Sequence, residues 1–127
     1  MKPLHYYNLP YAELFVFEHF VISQIKDGTV LQPENNNEMA ALLKKHFSDT
    51  NWVYIANRIF EYNVSPLTYK ETSKISNLIG MCIVTESHIG QNTARFESKF
   101  YSKEFEILNS IPEAIVWATE LVNKSQS

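Results

Sequence analysis

The chain has 127 residues, of which 45% are hydrophobic and 20% charged, and its formal net charge at pH 7 is −3. This length and composition predict one soluble globular domain, 1–127, and the weak negative charge offers no attraction to nucleic-acid phosphates or acidic membranes. No apolar run approaches the ~20 residues that cross a bilayer. The single cysteine, Cys82, excludes an internal disulfide and, with no secretory signal at the start, predicts a cytoplasmic protein.

The first part of the chain predicts a β-hairpin followed by a helix. Two strongly β-prone segments are expected to form the strands of the hairpin: 13–17 and 20–25. Glu18-His19 can form the turn between them. The first helix is predicted from Gln32 or Pro33 to Phe47, because apolar residues recur at helical spacing along it.

The middle of the chain predicts a central strand and a second helix. Residues 52–56 are rich in β-branched and aromatic side chains, which is typical of a strand buried on both faces. Ser65-Pro66 has the pattern of a helix start, since serine is a good N-cap and proline suits the first helical position. This helix is predicted to run to Gly80, with one apolar face: Leu67, Ile75 and Leu78.

A further strand, loop and helix are expected next. Residues 81–85 predict another buried strand, and 86–91 predict a polar loop. Asn92 can cap a third helix that ends near Tyr101. The aromatic residues of this helix are predicted to face inward: Phe96 and Phe100.

The chain closes with a short strand, 105–108, and a helix that begins at a Ser110–Glu113 capping box. The resulting order is β-β-α-β-α-β-α-β-α. It predicts an α/β fold with a single-layer, mixed, mostly parallel sheet of four or five strands, an antiparallel hairpin edge and about four helices. Residues 1–10 and 123–127 are predicted to be flexible or edge segments of this domain.

The order of the predicted elements and three local features resemble those of a known family. The local features are the final helix IPEAIVWATEL, the third helix NTARFESKFY with a short strand after it, and the strand-to-helix corner at 63–67. Over residues 11–124 the chain resembles the STAS domain, and most closely its bacterial SpoIIAA-like branch. That branch includes anti-sigma-factor antagonists and shares its general architecture with the lipid-carrying Sec14 domains. The resemblance implies a STAS-like α/β fold and a regulatory role.

Ser65 is the residue to which the resemblance assigns a role. STAS antagonists carry Asp-Ser-Ser-Gly-Leu at this corner, and the second serine accepts phosphate from a partner kinase. This chain has Asn63-Val64-Ser65-Pro66-Leu67, so the resemblance implies an interaction site or phospho-acceptor at Ser65. Pro66 lacks the backbone donor that would help to hold a phosphate there. The residues themselves favour an N-cap at Ser65.

Polar side chains follow two neighbouring predicted strands and define a second candidate site. In open α/β sheets, ligands bind in crevices beyond the carboxyl ends of the strands. The alternative is that these side chains only solvate loops, as many polar loop residues do. The candidate residues are Arg58, Glu61, Tyr62, Asn63, Glu86, Ser87 and His88.

The sequence predicts no cofactor, no metal site and no catalytic activity. Its four histidines are scattered, and its three glycines make no phosphate-binding loop. Cys82 lies within a predicted strand and is expected to be a small core residue rather than a nucleophile. No spacing identifies a pair of groups for acid–base catalysis.

Two classes of function therefore remain. The first is a non-enzymatic regulatory or interaction module that docks a protein partner through the Ser65 corner, as the STAS resemblance implies. The second is a module that binds a lipid or another small apolar ligand in a pocket between helices and sheet, as the Sec14 resemblance implies. A homodimer is compatible with either function.

Overall fold

The computed structural model describes residues 2–60 and 62–126, and within them it has six strands and four helices. Three strands come first, and helices and strands then alternate. The elements in chain order are β1 (His5–Asn8), β2 (Ala12–Val16), β3 (Phe20–Ile25), α1 (Pro33–His46), β4 (Trp52–Asn57), α2 (Pro66–Thr72), β5 (Leu78–Val84), α3 (His88–Ser98), β6 (Glu104–Leu108) and α4 (Ile111–Ser125). None of the four helices is long and apolar enough to cross a membrane.

The strands lie in one sheet in the order of the chain, β1-β2-β3-β4-β5-β6. The pairs β1–β2 and β2–β3 are antiparallel, whereas β3–β4, β4–β5 and β5–β6 are parallel. This confirms the predicted mixed, mostly parallel sheet with an antiparallel edge. It also confirms the central position of the strand at 52–56, since β4 has a neighbour on each side.

Alternate side chains of β4 lie on opposite faces of the sheet. Trp52 and Ala56 pack with residues of α1, α2 and α3, whereas Val53 and Ile55 pack with α4. Each of the first three helices connects a parallel strand to the next strand in the same direction. Right-handed crossovers of this kind place successive helices on one face of the sheet. Of the four helices in the described residues, α4, which follows the last strand, covers the other face.

The sheet has one strand more than the largest number predicted. The extra strand is β1, which lies in the segment 1–10 that the sequence left as flexible or edge. It pairs with β2 from His5 opposite Val16 to Asn8 opposite Glu13. At the other end of the chain, α4 continues through Asn123 to Ser125, so these residues are helical.

The prediction that the second helix reaches Gly80 is wrong. The helix α2 ends at Thr72, where the hydroxyls of Thr72 and Ser73 bond back to the carbonyls of Thr68 and Tyr69. Such bonds compete with helical ones and favour an end. Leu78 and Gly80 lie in β5 instead, and Leu67 is 62% exposed rather than on a buried face.

Gly80 has a packing role within β5. A Cβ atom at this position would lie 2.5 Å from Leu121 Cδ2 and 3.1 Å from Trp117 Cη2. Both side chains belong to α4, so the absence of a side chain at Gly80 allows α4 to lie close to the sheet.

The predicted limits and inner face of the third helix are also wrong. The helix α3 begins at His88, within the predicted loop, and Ser87 rather than Asn92 is its N-cap. Small and polar residues of this helix face the sheet: Gly90, Ala94 and Glu97. Phe96 is on the opposite side and is 56% exposed. Small residues allow α3 to lie close to the sheet. The inner face of this helix is therefore not the face that carries its most hydrophobic residue.

Candidate functional site

Three helices begin just after the carboxyl ends of three parallel strands, β4, β5 and β6. This end of the sheet is called the rim below (residues 57–60, 62–67, 84–90 and 108–113). In each helix a serine hydroxyl accepts a hydrogen bond from a backbone N–H of the first turn, which is the usual N-cap geometry. The three bonds run from Leu67 N to Ser65 (3.3 Å), from Gly90 N to Ser87 (2.9 Å) and from Glu113 N to Ser110 (3.4 Å). The cap predicted at Ser65 is therefore present.

A buried ion pair lies beneath the rim. Arg58 follows β4 directly, and its backbone N–H donates to Val84 O of the neighbouring strand at 2.9 Å. Its guanidinium Nη1 lies 2.8 Å from Oε1 of Glu97 on α3, and the two side chains are only 3% and 5% exposed. Burial of two charges is costly unless they are paired and hydrogen-bonded. Further contacts of this pair are therefore expected.

Two tyrosines complete the surroundings of the pair. The Tyr69 hydroxyl of α2 donates to Glu97 Oε1 at 3.0 Å, and Nη2 of Arg58 donates to the Tyr69 oxygen at 3.5 Å. The Arg58 guanidinium carbon also lies 4.6 Å from the centre of the Tyr62 ring, a cation–π distance. This cluster of Arg58, Glu97, Tyr69 and Tyr62, the Arg58 cluster, connects the end of β4 to both α2 and α3.

The Arg58 cluster holds its protons firmly. Burial opposes the charge of Arg58, but the surrounding Tyr62, Tyr69 and Glu97 outweigh it and raise the pKa of Arg58. Burial, followed by the nearby Glu97, raises the pKa of Tyr69 well above its usual value. Arg58 therefore remains a cation and Tyr69 a neutral phenol near pH 7. Neither is suited to exchange protons at that pH, because a catalytic acid or base needs a pKa near the working pH.

Arg58 borders three spaces of different size. The inner cavity, of about 50 Å³, lies between α1, α2 and the sheet, and its lining includes Met39, Tyr54, Arg58, Tyr62, Tyr69, Thr72 and Met81. A crevice of about 140 Å³ opens between Tyr62, Asn63 and the first turns of α3. A wider crevice of about 500 Å³ lies along the ends of β4, β5 and β6.

The structure places the predicted rim residues in different surroundings. Arg58 and Tyr62 are in contact, and Asn63 lines the 140 Å³ crevice with them. Glu86 and Ser87 line the 500 Å³ crevice, whereas His88 is exposed at the start of α3 and lines neither crevice. Glu61 lies outside the described residues. Arg58 was expected on an open polar rim and is instead buried.

The sequence analysis missed Glu97 and Tyr69, the residues that pair with Arg58. A signal for Glu97 was present, because Gly90, Ala94 and Glu97 recur at i, i+4 and i+7 and share one helix face. A glutamate on a face of small residues indicates a buried charge that needs a partner. The prediction chose Phe96 and Phe100 instead. Phe96 is exposed, whereas Phe100, just after α3, is partly buried against the core that contains Tyr69 and Ala94.

Among residues 2–60 and 62–126, no group of three or more histidine, cysteine, aspartate or glutamate side chains is placed to hold a metal ion. Cys82 is fully buried in β5, as predicted, and burial, with smaller contributions from Glu106 and Glu113, raises the pKa of its thiol to about 12. Such a thiol is not a nucleophile at neutral pH. Comparison of the chain with protein-family models, with curated proteins and with solved structures finds no match.

Proposed function

We propose that the chain is a non-enzymatic regulatory or interaction module that docks a protein partner through the rim around Ser65. The observation that supports this proposal most directly is the exposure of large apolar side chains at the rim. Ile59, Leu67 and Ile89 are 58%, 62% and 67% exposed. They lie in the loop after β4 and in the first turns of α2 and α3. Exposed apolar groups gathered at one edge are typical of interaction surfaces.

The polar groups at the rim and directly beneath it support a binding role over a catalytic one. Arg58, Glu97 and Tyr69 bond to one another, and the N-cap serines bond to the helices that they begin. These bonds hold the starts of α2 and α3 in fixed positions. A partner would therefore meet a preorganised surface, which reduces the entropy lost on binding.

The proposed compartment is the cytoplasm, and the proposed origin is bacterial, as the SpoIIAA-like resemblance implies. A buried thiol and the absence of any possible disulfide in a one-cysteine chain suit a reducing compartment. The partner is proposed to be a different protein. A second copy of this chain is the competing occupant, and it is distinguished by the molar mass in solution.

The small-molecule alternative would use the inner cavity between the helices and the sheet. Its volume of about 50 Å³ is far below the roughly 300–1,000 Å³ of sites for drug-sized ligands. A lipid of the Sec14 type would require α1 and α2 to separate from the sheet. We therefore rank lipid binding below protein docking.

A photo-crosslinking experiment tests the proposal. A photoreactive amino acid is placed at Leu67 and, as a matched control, at Leu4, which is 66% exposed just before β1, at the end of the sheet opposite the rim. We expect one discrete adduct in cells from position 67 and none from position 4. The captured protein, once purified, should bind the wild type, and Leu67→Ser should weaken that binding while Leu4→Ser leaves it unchanged.

Two results would contradict protein docking. One is the same set of adducts from both positions, which indicates random collision. The other is an adduct that has twice the mass of the chain. In that case light scattering should give the molar mass of a dimer for the wild type and that of a monomer for Leu67→Ser. The second result would assign the rim to a homodimer.

A further inference from the structure

The inner cavity has an apolar wall and one charged residue. The wall includes Ile25, Leu31, Met39, Val64, Met81 and Ile83. Arg58 is the only charged side chain among the described residues that line the cavity, and Glu97 does not line it. A ligand in this space would therefore meet one guanidinium group, several aliphatic side chains, and the uncharged polar side chains that complete the lining: Asn36, Tyr54, Tyr62, Thr68, Tyr69 and Thr72.

Arg58 has an unused hydrogen-bond donor. Its Nη2 donates to Tyr69, whereas Nε and Nη1 make no hydrogen bond to the described residues, although Nη1 forms an ion pair with Glu97 Oε1 at 2.8 Å. A buried donor without a partner is costly, so such groups usually mark a place for a water or a ligand. An acceptor atom within the cavity would satisfy the Nε–H.

Phenol groups add further donors to the cavity. Burial raises the pKa of both Tyr54 and Tyr62, so both keep their protons near pH 7. Both line the cavity together with Arg58, and phenol O–H and guanidinium N–H groups can each donate to an acceptor or an anion. The Glu97 carboxylate, 2.8 Å from Nη1, already balances the charge of Arg58 in part. A single negative charge is therefore accommodated more readily than a double one.

The size of the cavity restricts the ligand further. About 10–15 Å³ of such volume holds one water, so the 50 Å³ of the inner cavity has room for only a few heavy atoms. We propose that the inner cavity binds a short-chain aliphatic carboxylate, with the carboxylate on Arg58 and the chain against the two methionines. This site does not depend on the rim as a docking surface, since its ligand lies beneath the rim.

Methyl NMR of the full chain, labelled at the methionine methyl groups, tests this inference. Met39 and Met81 line the cavity, and their methyl groups are the reporters. Sodium propionate is titrated against sodium chloride at equal ionic strength and against propionamide, which has a similar shape and no charge. We expect propionate to cause saturable chemical-shift changes of the Met39 and Met81 methyl groups. Propionamide should bind about tenfold more weakly or worse, because it loses about the free energy of one charge-assisted hydrogen bond.

Variants distinguish binding in the cavity from binding elsewhere. Thr72→Leu adds volume at the cavity lining and leaves every charge in place, so it should abolish the shifts. Arg58→Gln should abolish them too, whereas Arg95→Gln, at an exposed arginine of α3, should not. The inference is overturned if propionate and propionamide bind equally, if Thr72→Leu retains binding, or if propionate has no effect beyond that of chloride. If Arg58→Gln fails to fold, Thr72→Leu and propionamide still decide the outcome.

Discussion

Arg58 brings a positive charge into the interior, and its value to the fold depends on Glu97. Both side chains are almost fully buried at a separation of 2.8 Å. Removal of one partner leaves the other charge buried and unpaired, which typically costs about 3–5 kcal/mol. We therefore expect Arg58→Met to lower the free energy of unfolding by about this amount, and Arg58→Met with Glu97→Leu to recover most of it. Urea denaturation measures both changes.

A control accompanies this double-mutant comparison. Arg95→Met removes the other arginine of the chain from an exposed position on α3, and we expect a change within about 0.5 kcal/mol. If the double variant is no more stable than Arg58→Met alone, the two charges are not coupled and the ion pair does not explain the cost.

Ser65 has two interpretations that stability and binding separate. Because its hydroxyl accepts from Leu67 N, Ser65→Ala should lower the free energy of unfolding by about 0.5–2 kcal/mol. Ser65→Asp should have little effect, since aspartate also caps and its charge suits a helix N-terminus. If Ser65 is also a docking switch, Ser65→Asp should weaken partner binding at unchanged stability. A loss of stability in Ser65→Asp as large as that in Ser65→Ala would argue against the cap.

At the scale of elements, the start of α3 depends on a glycine. A Cβ atom at Gly90 would collide with Thr85 Oγ1 and lie 2.8 Å from Ser87 Oγ. Overpacking of this kind costs about 1–3 kcal/mol, which exceeds the gain of up to about 1 kcal/mol from replacing glycine by alanine in a helix. We expect Gly90→Ala to destabilise the protein and Thr85→Ala to restore part of the loss, as measured by urea denaturation. A Gly90→Ala protein as stable as the wild type would show that α3 shifts without cost.

The edge strand β1 is joined to α1 through a histidine whose protonation should matter. Nε2 of His46 lies 2.6 Å from the Tyr7 hydroxyl oxygen, and its ring centre lies 4.4 Å from that of His5. Burial, followed by the nearby His5 and Lys45, lowers the pKa of His46 below 6.5. The unfolded chain therefore takes up this proton more readily than the folded one. The contribution of His46 to stability is complete above about pH 6.5 and is lost as the pH falls through the folded pKa.

Urea denaturation between about pH 7.5 and pH 5 tests this linkage. We expect the free energy of unfolding to fall towards the acid end, and His46→Asn to make that fall smaller. His88→Asn removes an exposed histidine from α3 and should leave the pH dependence unchanged. Equal effects of the two substitutions would place the pH dependence elsewhere in the molecule.

At the scale of the whole molecule, the sheet predicts a gradient of local stability. The strand β4 has a neighbour on each side and a helix layer on each face, whereas β1 and β6 are edge strands. Amides at the centre of a sheet exchange only when the whole domain opens, and those at its edges exchange through local opening. Hydrogen exchange followed by mass spectrometry should find the slowest exchange in Trp52–Asn57 and Leu78–Val84. Equally slow exchange in His5–Asn8 would contradict the observed strand order.

Local signals in the sequence were sufficient for much of this architecture. The helix starts at Pro33, Pro66 and Ile111 follow from prolines and capping residues, because a cap is formed by residues within one turn of each other. The strand at 52–56 was recognised as central because a run of apolar and β-branched side chains has few other stable positions. The alternation of strands and helices then determined the mixed, mostly parallel sheet.

Tertiary contacts decided the remainder. Residues 78–80 form the start of β5 rather than the end of α2. Pairing with β4 and contact with α4 outweighed the helical spacing of Leu67, Ile75 and Leu78. The inner face of α3 was chosen by close approach to the sheet and by the Arg58–Glu97 pair, not by hydrophobicity. The sequence by itself therefore determined which elements form, since capping and periodicity act over a few residues. Which charges meet and which side chains enclose the inner cavity depended on contacts between residues far apart in the chain, which only the folded structure brings together.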